Sequence, residues 1–97
     1  MTDTLTRRVV VEGFVQGVGY RDFARRVALR RRISGWVRNR TDGTVEALIH
    51  GSPADIELVL AELRRGPRGA RITAFKLAEP RSSDGFEPGA FLVRATL

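Results

Sequence analysis

The sequence predicts an α+β sandwich: a mostly antiparallel sheet with two helices on one face. Three observations predict it. β-Branched and alternating apolar runs mark strands at 7–13, 34–40, 44–50 and 70–78. Two stretches, 21–32 and 53–65, repeat apolar residues at helical spacing with polar residues between them. The resulting order is strand, helix, strand, strand, helix, strand.

Each element has a local cause. Val9, Val10 and Val11 are stiff at χ1 and suit a buried first strand. Phe23, Ala24, Val27 and Ala28 form the apolar stripe of the first helix, with Arg25, Arg26 and Arg30 around it. Trp36 and Val37 anchor the second strand, and Trp36 is expected in the core. Thr41-Asp42-Gly43 reads as a tight turn, because Asp-Gly readily takes the positive φ that hairpins need. Val45, Ala47 and Ile49 then alternate with Glu46 and His50 on the return strand. Ser52 caps the second helix, Pro53 suits its first position, and Asp55 favours the positive end of the helix dipole. Ile56, Val59, Leu60 and Leu63 line its buried face, and Gly66-Pro67 stops it. Ile72, Ala74 and Phe75 mark the next strand. A polar loop over 80–89 leads to a last strand at 90–96 with Phe91 and Val93. The order βαββαβ is that of a ferredoxin-like sandwich. Both helical stripes must bury on one side of the sheet, which leaves the opposite face comparatively wet.

Ninety-seven residues suffice for a single domain, 1–97, with one core and no cleft between lobes. A site must therefore lie on the surface or at a sheet edge. There is no cysteine, so disulfides, thiol nucleophiles and thiolate metal sites are excluded. No apolar run approaches the roughly 20 residues a membrane span requires. The N-terminal residues contain no apolar signal core. A cytoplasmic location and no membrane partner are expected. The formal net charge is +6, and of the 17 basic residues all but Lys76 are arginine. Such a balance favours anionic ligands, although an arginine-rich composition accounts for it without one, and nucleic acid is not the expected partner.

The most informative segment is Gly13-Phe14-Val15-Gln16-Gly17-Val18-Gly19-Tyr20-Arg21. Its glycines disfavour helix or strand and suit a loop whose backbone N–H groups converge on an anion. Arg21 follows, with a guanidinium shaped to grip phosphate through two donors. The next helix would add its partial positive N-terminus. From the glycines alone, a tight strand-to-helix turn with no ligand fits equally well. Asn39, taken alone, reads more simply as a polar strand end before a hairpin. His50 is the sole histidine and reads as a surface or packing residue.

The run Gly13-x-Val15-Gln16-Gly17-Val18-Gly19-Tyr20-Arg21, with Gly35-Trp36-Val37-Arg38-Asn39, Asp42-Gly43 and Gly66-Pro67, resembles the acylphosphatases over nearly the whole chain. The resemblance implies the ferredoxin-like fold and hydrolysis of a carboxyl–phosphate anhydride. It implies phosphate binding by Arg21 with the loop residues Val15, Gln16, Gly17, Val18, Gly19 and Tyr20, and positioning of the attacking water by Asn39. Many members carry arginine at the position of Phe14 and phenylalanine at that of Tyr20. Many also end the first helix with glycine, where this chain has Arg31-Arg32-Ile33.

The implied chemistry is undemanding in residue types. The carboxylate leaves readily, and phosphoryl transfer depends mainly on positioning and charge stabilisation. No cofactor and no metal are expected. A small-molecule acyl phosphate is the expected substrate, phosphate or sulfate a product-like ligand, and a monomer the expected state. The alternatives are a silent anion-sensing module and an RNA-binding ferredoxin-like module. The latter would stack bases on central-strand aromatics, which Val9-Val10-Val11 and the 45–49 strand do not offer.

Overall fold

The valine run forms the middle of β1 (Leu5–Phe14) in a computed structural model that describes residues 3–97. There follow α1 (Tyr20–Arg30), β2 (Ser34–Asn39), β3 (Val45–Gly51), α2 (Pro53–Arg65), β4 (Arg71–Ala78) and a short β5 (Phe91–Val93). The sheet order is β4-β1-β3-β2-β5. β1 pairs antiparallel with β3 and β4, and β2 pairs antiparallel with β3. β5 adds a parallel edge beside β2. The architecture is the expected ferredoxin-like one, extended by that strand. The last strand is shorter than the expected 90–96, but the chain beyond it stays beside β2. Arg94 N–H donates to Val37 O at 2.9 Å and Leu97 N–H to Asn39 O at 3.2 Å.

The helix-side core forms where the periodicities meet. Val9, Val11, Val37, Val45, Ala47 and Ile49 from the sheet pack with Ala24, Val27, Ile56, Val59 and Leu63 from the helices. Ser52 caps α2 as expected: Asp55 N–H donates to its Oγ at 3.2 Å, and the Oγ donates to Asp55 Oδ2 at 2.9 Å. α1 ends without glycine. Ile33 N–H reaches Ala28 O at 2.9 Å and Arg32 N–H reaches Leu29 O at 3.3 Å, the bonding of a Schellman stop. Arg32 takes the left-handed conformation that the motif requires, with φ 56°.

The opposite sheet face departs from expectation. β4 and β5 lie at opposite edges, so residues 79–90 must cross this face and form a strap over it. Beneath the strap, Glu46 is 0% exposed. Its carboxylate meets Arg8 at 3.2 Å, Arg38 at 2.8 Å and Arg81 of the strap at 2.7 Å. Trp36 is buried, but on this face rather than among the helix-side residues. Its indole N–H donates to Gly85 O at 2.9 Å, and the Arg38 and Arg94 guanidiniums lie over its ring. His50 packs as expected, stacked on Phe86 with its Nδ1 hydrogen-bonded to Thr6 Oγ1. The strap therefore occupies the β3–β2 part of this face, whereas Glu12 and Lys76 on the β1–β4 part stay in solvent as expected.

Candidate active site

β1 and α1 meet at the loop 15–19, next to the end of β2. The β1–β4 ladder slips between Glu12 and Gly13, a bulge that redirects the chain as it leaves the sheet. Gly17 and Gly19 each adopt φ 78°, a left-handed backbone that L side chains resist. Gly19 is also the N-cap of α1, and no side chain caps that end. The first-turn N–H groups of a helix have no intrahelical acceptors. Among the described residues, no protein acceptor forms a well-aligned hydrogen bond with the N–H groups of Gln16, Gly17, Val18 or Gly19. The junction thus presents successive donors and the positive end of a helix dipole.

A cavity of about 360 Å³ opens on this junction, lined by Val15, Gly17, Gly19, Tyr20, Arg21, Asp22, Asn39 and Val93. It unites Arg21 and Asn39 with four of the loop residues singled out from sequence; Gln16 and Val18 do not line it. Val18 is half-buried and packs on the core. The Gln16 side chain turns to the β2–β3 hairpin, where its Nε2 donates to Arg40 O at 2.8 Å and Thr44 O at 2.9 Å. The Tyr20 hydroxyl donates to Leu63 O at 2.7 Å, deep in the core, and burial raises its phenol above its ordinary value. Tyr20 therefore anchors α1 to α2 and supplies no base.

Among the described residues, the Arg21 guanidinium has no carboxylate partner, whereas Glu46 alone engages three arginines. The Asn39 carboxamide likewise has no protein hydrogen bond there. Main-chain pairing holds its residue in place, opposite Val45 on β3 and beside Leu97 on the tail. The hairpin behind it closes through Asp42, whose Oδ1 accepts from Thr44 Oγ1 at 2.6 Å and from Thr44 N–H at 3.0 Å. Those bonds hold the Asp42 carboxyl below its ordinary value. Two lining residues were not foreseen. Asp22 follows Arg21 and pairs with Arg26 at 3.2 Å. Val93 arrives from β5, and only the tertiary fold brings it near the loop.

The fold and this cavity define a small α+β domain with an anion-receptive strand–helix junction. A family model described as Acylphosphatase matches residues 7–88. The acylphosphatase of Rhodopseudomonas palustris (strain BisB18) is 48% identical over 85 residues, which cover 87% of this chain and 84% of that protein. The crystal structure of acylphosphatase from Bacillus subtilis aligns with a TM-score of 0.83 at 33% identity, over 95% of this chain and 99% of that one. An acylphosphatase structure from Coxiella burnetii gives a TM-score of 0.83 at 30% identity, over 95% of this chain and 94% of that one. The chain belongs to the acylphosphatase family.

Proposed function

We propose that this chain hydrolyses acyl phosphates to carboxylate and inorganic phosphate, with Arg21 and the 15–20 backbone amides holding the phosphoryl group and Asn39 positioning water. One observation carries the residue assignment. Among the described residues, a single cavity brings together a guanidinium without a carboxylate partner, loop amides without a well-aligned acceptor and a carboxamide without a hydrogen-bond partner. Groups left unsatisfied in the same place suit a ligand that satisfies all of them.

The substrate phosphoryl group carries nearly two negative charges at neutral pH, which repel a nucleophile. Fixed N–H donors and a guanidinium offset that charge without reorganising during the reaction. The Asn39 amide can both donate to and accept from a water, and so hold it in line with the bond that breaks. The new P–O bond forms from this water as the bond to the carboxylate oxygen breaks. The water's proton passes to a phosphate oxygen of the substrate, while the Asp22 carboxylate that also lines the cavity is paired with Arg26. The same reading takes the chain as a cytoplasmic, single-domain monomer with phosphate or sulfate as product-like ligand. Its size and cysteine-free composition support this, and among the described residues no helix is long and apolar enough to cross a membrane.

The test is a comparison of two variants with benzoyl phosphate as substrate and inorganic phosphate as competitor. Arg21→Gln should abolish detectable phosphate inhibition along with turnover. Asn39→Ala should lower kcat by about 100-fold or more while phosphate still binds within about threefold of wild type. Full turnover in Asn39→Ala would end its assigned role. A second expectation concerns conditions. With charge neutralised by arginine and amides, and no side chain titrating in the step, kcat should be flat across neutral pH and unchanged by EDTA. A loss on chelation that a divalent ion restores would contradict the mechanism.

A further inference from the structure

Gln16 lies within the proposed phosphate loop, yet its side chain leaves that loop altogether. Its Nε2 donates to Arg40 O at 2.8 Å and to Thr44 O at 2.9 Å. Both acceptors belong to the hairpin that follows Asn39, and Arg40 is the next residue in the chain. Each carbonyl already receives a main-chain donor: Gly43 N–H reaches Arg40 O at 3.1 Å, and Arg40 N–H reaches Thr44 O at 2.9 Å. A carbonyl oxygen has two lone pairs, so Gln16 occupies the second on each, and the hairpin closes without it. Among the described residues, no other side-chain hydrogen bond joins the loop 15–19 to the segment 39–44.

The amide therefore ties the two halves of the cavity together. One half holds phosphate and the other aims water, and they come from segments more than twenty residues apart in sequence. Displacing a reacting group by about 1 Å can cost roughly 100-fold in rate. We infer that Gln16 is a positioning residue for the acyl phosphate reaction: its two hydrogen bonds set the separation between the phosphate loop and Asn39. This rests on the role given to Asn39 above.

Two variants of the full chain test it. Gln16→Met keeps the length of the side chain and removes both donors. Gln16→Glu keeps its shape and sets a carboxylate against two carbonyl oxygens. Both should lower kcat for benzoyl phosphate by about 10- to 100-fold, with the inhibition constant of inorganic phosphate within about threefold of wild type. The loss should be non-additive, so that Gln16→Met combined with Asn39→Ala turns over no more slowly than Asn39→Ala alone. A Gln16→Met enzyme at full speed, a loss that multiplies onto Asn39→Ala, or a parallel loss of phosphate affinity would each overturn the inference. So would a Gln16→Met chain that fails to fold, because hairpin closure would then depend on Gln16. Full-speed Asn39→Ala would defeat both readings, whereas slow Asn39→Ala beside fast Gln16→Met would defeat only this one.

Discussion

Arg32 holds a backbone conformation that its side chain resists. Its φ of 56° is the only positive value on a non-glycine residue among those described, and such conformers cost roughly 1 kcal/mol or more. The conformation persists because the two bonds to Ala28 O and Leu29 O close α1, and because Ile33, next along, is buried at 2% exposure in the core. The Arg32 side chain is exposed and enters no hydrogen bond or ion pair among the described residues, so little is lost with it. Glycine at this position would relieve the strain and keep the stop. Arg32→Gly should therefore raise stability by about 0.5–1 kcal/mol, and with it the unfolding midpoint by roughly 2–8 °C for a domain of this size. Thermal unfolding followed by circular dichroism reads this directly. A fall in Tm would mean that the added freedom of glycine in the unfolded chain outweighs the relieved strain.

The strap over 79–90 is held by contacts between elements rather than by any regularity of its own. Arg81 reaches Glu46, Gly85 accepts from Trp36, and Phe86 stacks on His50. A carboxylate at 0% exposure surrounded by three guanidiniums is stable only while its charge is present. Glu46→Gln would leave those cations crowded around a neutral amide. It should cost about 3 kcal/mol, at the low end for a broken buried pair because Arg81 is nearly half exposed. Unfolding should shift down by roughly 12 °C or more. Trp36, the single tryptophan, would report the loosened strap as a red-shifted emission. An unchanged midpoint would show that the Trp36 and Phe86 contacts hold the strap unaided. The same elements show what was legible in the sequence. Ser52, Asp-Gly and the glycine-rich loop act through their own backbone and nearest neighbours, so they could be read. Glu46 alternates with Val45 and Ala47 and reads as solvent-facing, because what covers it lies 35 residues away. The strap's Pro, Ser and Gly carry no period, and nothing local says that it crosses a sheet. Arg21 and Asn39 could be paired in advance only through a family resemblance. The direction of the Gln16 side chain and the arrival of Val93 depend on the tertiary fold alone.

For the molecule as a whole, the remaining question is what a net charge of +6 does for a dianionic substrate. The protein measures 40 × 26 × 20 Å. At about 0.01 M salt the Debye length is roughly 30 Å, so nearly every charge on it acts at the cavity mouth. At about 0.15 M the length falls to roughly 8 Å, and only Arg21 and its close neighbours still do. A positive field raises the local concentration of an anion before it binds, and it stabilises the bound ground state and the transition state, which carry the same total charge, alike. Raising sodium chloride across that range should therefore lower kcat/KM for benzoyl phosphate several-fold and leave kcat unchanged. Chloride is the salt to use, since on the proposed reading sulfate competes for the loop. A kcat that fell with the ratio would place the salt-sensitive interaction in the transition state, at Arg21 itself. A ratio indifferent to salt would mean that the many arginines do not serve the site, and that its affinity is built entirely within the loop.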